Sequence, residues 1–172
     1  FWAICATNPV GGGSAASNAT GAVQVYTGKD WLNISSGIYP KINAGNANKW
    51  TSCQIGKSVF INHPNHYPEY IINDISNIFT VLPYSPGRTW QETGHTFEVI
   101  RSHKNFLFAL NLTEGGVKNP DAYRWSHPAD EDGIPYTWHL QGEEGDAIDE
   151  SSLAGKSQLG SDSGALVDGL SL

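Results

Sequence analysis

Apolar positions come in short alternating or continuous runs along the chain: FWAICAT, AVQVY, SVFIN, EYIIN, IFTVLPY, TFEVIR, FLFALN and AYRWS, each closed by Gly, Pro, Asn or Ser. Runs of this length, rich in β-branched and aromatic residues, predict strands. A helix would need a 3.6-residue apolar stripe sustained for about ten residues without a breaker. Only residues 146–158, DAIDESSLAGKSQ, offer a weak one, and they read as an ordered acidic loop.

The runs recur in a fixed order. CQIGKSVFINHPNHYPEYI reads strand, Gly-Lys turn, apolar strand, Asn, Pro-containing loop, acidic residue, aromatic strand. EVIRSHKNFLFALNLTEGGVKNPDAYRWS repeats that order with His-Lys in the turn, so that Lys57 and Lys104 occupy equivalent turns 47 residues apart. FWAICATNP, leading through a Gly-rich loop to AVQVYTGKDW, is an incomplete first copy. The units are approximately 1–49, 50–94 and 95–172. A period above 40 residues with about four strands per unit is the pattern of β-propeller blades. The predicted fold is therefore all-β, with short antiparallel strands in propeller-like blades forming a partial arc; a β-sandwich is the alternative. Residues 55–61 are expected to pair antiparallel with the strand before them, and residues 97–101 with 105–111. Strand-like groups at Phe1–Ala6 and Ala165–Leu170 lack sequence neighbours, so the chain reads as a fragment whose open edges favour aggregation.

Composition agrees with this picture. A chain of 172 residues fits one domain, and 19 Gly, 9 Pro, 6 Trp, 7 Tyr and 6 Phe with few charges favour a turn-rich β protein. No apolar stretch approaches the roughly 18 to 20 residues that span a bilayer, and the first 20 residues lack a signal-peptide pattern. A net charge of −7 opposes binding to a phosphate backbone. Cys5 and Cys53 sit in apolar strands, where free buried thiols are expected rather than a bridge. The N-x-S/T triplets at Asn18, Asn33 and Asn111 are too short a pattern to establish secretion.

Candidate chemistry is sparse. Zinc needs three or four converging ligands, and only His63 and His66 of HPNH lie close together, with no cysteine pair beside them. GKS at 56–58 ends like a phosphate-binding loop, but Thr51 stands where that loop needs Gly, and a hairpin turn is the better reading. DSGA at 162–165 matches an aspartic-protease loop only superficially and lacks a second copy, so it reads as a turn. The late acidic residues, including DEDG at 130–133, lack the frame of a helix-loop-helix calcium site; solvated loops are expected, with calcium in an irregular loop as the alternative. His127 is expected to hydrogen-bond the backbone of its own loop. No catalytic residue, cofactor or metal ligand is assigned, and an enzyme is not expected.

The string KNFLFALNLTEGGVKNPDAYRWSHPAD, followed by IPYTW and GSDSGALVDGLSL, is more specific. It resembles the tail tubular or nozzle proteins of short-tailed bacteriophages, over somewhat under half the chain. The matching positions are Arg101, Lys104 to Asn111, Trp125 to Pro128, Pro135, Trp138 and Val167 to Leu170. The resemblance implies a virion structural protein of the phage tail. Copies of it would form a ring, a hexamer in that family, and meet adaptor, fibre or spike proteins. The genome would pass through the ring at ejection without specific DNA contact, and this segment would not insert into a membrane. It implies structural rather than catalytic roles for Arg101, Lys104, Phe106, Phe108, Leu110, Asn111, Trp125, His127, Pro128, Pro135, Trp138, Asp168 and Gly169. In one blade, Phe106, Phe108 and Leu110 would share a strand face and Leu107 and Ala109 the other, both apolar. Trp125 and Trp138 would pack blades or cover edges. The alternative function is a carbohydrate-binding propeller or sandwich, which would expose its tryptophans in a groove.

Overall fold

Alternating apolar positions interrupted by turn residues produce hairpins throughout the chain. The computed structural model describes residues 5–6, 20–21, 23–36, 39–41, 49–72, 78–140, 151–160 and 164–169. The first strands are β1 (Cys5–Ala6), β2 (Thr20–Gly21), β3 (Val23–Tyr26), β4 (Trp31–Asn33) and β5 (Tyr39–Lys41). They form a three-stranded sheet in the order β1-β3-β4 and a β2-β5 pair. Then β6 (Thr51–Ile55), β7 (Ser58–Asn62), β8 (Glu69–Ile72) and β9 (Thr80–Val81) form a four-stranded sheet in sequence order. A small hairpin of β10 (Pro83–Ser85) and β11 (Arg88–Thr89) precedes α1, a single turn at Trp90–Thr93. The last sheet, β12 (Thr96–His103), β13 (Phe106–Glu114), β14 (Val117–Trp125) and β15 (Gly155–Gln158), is again a four-stranded meander. Every described pairing is antiparallel. The protein is all-β.

The expected pairings form. β6 and β7 close at Ile55 and Ser58, and β12 and β13 close at His103 and Phe106, 48 residues later. Both are two-residue turns whose first residue has positive φ, Gly56 at 53° and Lys104 at 52°. The structural counterpart of Lys104 is therefore Gly56, and Lys57 matches Asn105. The sequence register of 47 is one residue short because it aligns the lysine side chains instead of the backbone that turns. Gly115 and Gly116, at φ 56° and 78°, make the third such turn, between β13 and β14.

The middle sheet is covered on both faces, and its alternation shows how. Ile61 and Ile71, with Val59 against them, join Val23, Val25, Ile34 and Phe79 in one core. Phe60, with Cys53 and Tyr70, faces a second core with Phe97, Ile100, Leu107 and Leu112. Successive residues of one strand thus serve different layers, as period two requires. In β13, Leu107 and Ala109 are fully buried and Leu110 nearly so, while Phe106 and Phe108 are half-buried. One end of the second core is aromatic. Trp90 meets Trp138, Tyr84 and Phe97 at ring separations of 5.1, 5.2 and 5.0 Å, all in edge-on geometry.

Residues 151–158 depart from the acidic-loop reading. Gly155–Gln158 is strand β15, paired with β14 from Ala122–Gln158 to Trp125–Gly155. Its residues are half-buried or exposed, as at a sheet edge, so no apolar alternation betrays it in the sequence. Residues 146–150 of that segment lie outside the described residues.

Candidate functional site

Segment 164–169 lies against β12, β13 and β14, where several of the motif residues meet. Asn111 donates from Nδ2 to the Leu166 carbonyl at 3.2 Å, and the Leu166 N–H donates to the Pro120 carbonyl at 2.8 Å. Arg101 donates from Nε to Asp168 at 2.7 Å and from Nη1 to the carbonyls of Ile100, at 2.7 Å, and Ser52, at 3.3 Å. One guanidinium therefore ties the returning segment to β12 and β12 to β6. The Arg101 bond, with the Gly169 N–H at 2.7 Å, holds the Asp168 carboxyl below its ordinary range. Gly169 packs over Leu110, where an added Cβ would come within 3.1 Å of Cδ1. Asn111 has φ 61°, a left-handed conformation that Asn tolerates better than most residues. It sits where β14 carries extra residues against β13, between Leu110–Tyr123 and Leu112–Asn119. Pro120, which lacks an N–H, falls inside that bulge.

A second group of motif residues holds β15. The Trp125 indole N–H donates to the Leu153 carbonyl at 3.0 Å, and the Leu153 N–H donates to His127 Nδ1 at 3.1 Å. Gly155 lies flush on the Trp125 ring, where a Cβ would stand 1.9 Å from it. His127 thus bonds the backbone of the returning segment rather than of its own loop, while its N–H donates to the Thr137 carbonyl at 2.8 Å. Pro128 follows it, and Pro135 bridges to Ala129 across the 130–134 turn. Trp138 is fully buried, Trp125 half-buried. Lys104 is exposed in its hairpin turn, beside Asn105, whose carbonyl accepts the Ala129 N–H at 2.7 Å.

The residues singled out for possible chemistry have structural partners. His63 is buried, packs against Trp50 at a ring separation of 5.0 Å and accepts the Asn65 N–H at Nδ1; His66 Nδ1 lies 2.9 Å from the Tyr67 carbonyl. In DEDG, Asp130 accepts the N–H groups of Asp132 and Ile134, while Asp132 pairs with Lys57 at 3.2 Å. The Ser58 hydroxyl donates to the Asp132 carbonyl at 2.7 Å, so the acidic turn is fastened onto the Gly-Lys hairpin of the middle sheet. Among the described residues no three His, Cys, Asp or Glu side chains converge as metal ligands. Asp162 of DSGA lies outside the described residues.

Sequence reasoning missed Arg124. It is 2% exposed, lies 3.4 Å from Glu114, bonds the Tyr84 hydroxyl and covers the Tyr84 ring at 5.4 Å. Glu114 is in turn bonded to Lys156 of β15. The signal was a charged residue two positions after Ala122, hence on the inward face of β14. Breaking such a pair at one partner leaves an uncompensated buried charge.

Cys53 is a free, half-buried thiol. Burial pushes its pKa from 9.0 to about 12, against the smaller opposing pulls of the Ser102 hydroxyl and Arg101. Its stabilising contribution is fully present below pH 9, where the thiol is neutral in both states, and is lost as pH rises toward 12. In a Cys5→Ser variant at pH 8, Cys53 should react slowly with Ellman's reagent in the native protein and rapidly in denaturant. Equal rates would contradict the burial.

No family model matches the chain, and no curated protein matches it. No helix among the described residues is long and apolar enough to cross a membrane.

Proposed function

We propose that this protein is a structural component of a short-tailed phage tail, part of the wall of a ring-shaped tube or nozzle through which the genome leaves. The observation that carries the reading is the use made of the motif residues. Arg101, Asn111, Asp168 and Gly169 fasten segment 164–169 to β12–β14, and Trp125 and His127 hold the β15 edge. They act as joints between elements, as the wall of a tube requires. Two four-stranded meanders that share one apolar core are also what neighbouring propeller blades present. A carbohydrate-binding module would present its tryptophans to solvent. Here Trp90 and Trp138 are buried, Trp50 and Trp125 half-buried, and Trp31 alone of the described tryptophans is exposed.

Two measurements test the proposal. Negative-stain images of the purified protein should show rings with an axial opening; dispersed monomers at micromolar concentration would remove its basis. In an anisotropy titration with duplex DNA at low salt, where screening is weakest, the net charge of −7 predicts no binding. Micromolar affinity that falls steeply with salt would instead show a gripping basic surface and end the passive-wall reading.

A further inference from the structure

A cleft of about 230 Å³ opens where the middle and last sheets meet segment 164–169. Its polar lining is Lys49, Thr51, Glu98 and Asn111; its apolar lining is Val99, Leu166 and Val167. Asn111 is only 6% exposed. Its Nδ2 is committed to the Leu166 carbonyl, which fixes the amide orientation, and its Oδ1 has no hydrogen-bond partner among the described residues. A buried acceptor left unpaired in this way carries an uncompensated desolvation penalty, so a ligand that supplies a donor there recovers it. One water could satisfy Oδ1, but the volume holds several at about 30 Å³ each.

We propose that this cleft is a binding site for a neutral polyhydroxylated ligand the size of one pyranose unit. The lining decides the class. Asn111 Oδ1 and the Glu98 carboxylate accept. The Lys49 ammonium donates, and so does the Thr51 hydroxyl, whose oxygen already accepts the Ile100 N–H at 3.1 Å. Hydroxyls, which donate and accept at once, match such a mixed set. The charges argue against a cation. Glu98, the one carboxylate of the lining, is already engaged by Lys49 at 4.0 Å and by Lys118 at 3.0 Å. The two lysines share that single carboxylate, so an anion is the competing occupant that the phosphate and acetate titrations separate from a sugar. Val99, Leu166 and Val167 give the C–H face of a sugar ring an apolar wall. The site uses hydrogen bonds rather than aromatic stacking, and it does not depend on the ring assembly: a monomer would carry it equally.

The test is a titration of the ¹⁵N-labelled protein with the methyl α-pyranosides of glucose, galactose and mannose, in parallel with glycerol, phosphate, acetate and ammonium. The Asn111 side-chain amide is the reporter. At least one pyranoside should shift it saturably, with a dissociation constant on the order of millimolar, as expected for so few atoms. Asn111→Gly keeps the positive φ and should weaken binding at least about tenfold, by removing the orphaned acceptor. Lys49→Ala, at a half-exposed position that spares the fold, should weaken it about fivefold by removing one donor. No saturable shift with any pyranoside, a response that glycerol matches at equal concentration, or a response to phosphate, acetate or ammonium alone would each overturn the proposal.

Discussion

Gly133→Ala is expected to destabilise the protein by about 3 kcal/mol or more, whereas Gly87→Ala should cost only about 1 kcal/mol. The two glycines have nearly the same φ, 89° and 82°, so the penalty for placing a side chain at positive φ is similar. They differ in what a side chain would meet. At Gly87 nothing lies within 4 Å, whereas at Gly133 the new Cβ would stand 2.1 Å from the Ile55 carbonyl oxygen. The DEDG turn would have to lift from the β6–β7 hairpin, and the Ser58–Asp132 and Lys57–Asp132 contacts would go with it. Denaturant midpoints of the two variants, compared with the parent, isolate the contact from the conformational term. Equal losses would mean that the turn does not sit on the hairpin.

Trp138→Ala should cost about 3–5 kcal/mol, the usual range for emptying a fully buried tryptophan site, and lower the melting temperature by about 10 °C or more. The ring is inaccessible to solvent and stands edge-on to Trp90, which itself contacts Tyr84 and Phe97. Its removal would leave that aromatic group without one wall. Trp138→Phe should recover most of the loss, because the indole Nε1 has no hydrogen-bond partner among the described residues and the smaller ring gives up no bond. If thermal melts found the Phe variant as damaged as the Ala variant, the contribution would lie in an indole contact rather than in packing.

The strands most legible in the sequence are those whose side chains face two cores. VFI in β7 is apolar at successive positions because alternate residues enter different cores, and LFAL in β13 places Leu107 and Ala109 in one core while Leu110 is buried on the opposite face beneath Gly169. The Gly-Lys and His-Lys turns are legible too, although their register is set by the positive φ of Gly56 and Lys104 rather than by lysine. β15 is not legible, since an edge strand that buries little needs no apolar alternation, and its place is fixed by the flat contact of Gly155 with Trp125. The Arg101–Asp168 joint spans 67 residues, and no local pattern announces it. Pro120 inside an apparent central strand could have marked the bulge, and with it the backbone carbonyl that receives Leu166. The Asn111 cleft draws on four separate segments and becomes visible only when they are folded together.

The two-faced middle sheet also limits how this chain can change. A sheet with one solvent face can drift freely at every second position, but β7 and β8 present alternate residues to two different cores. A polar replacement at either parity injures one core or the other, and a volume change on one side is transmitted through the strand to the layer beyond. Mutational tolerance is therefore displaced to the Gly56–Lys57 hairpin tip and to Ser52 and Gln54 of the β6 edge, which are exposed. Inserted residues, new partner contacts and altered charge can accumulate at those positions while the stacked interior stays almost fixed in composition.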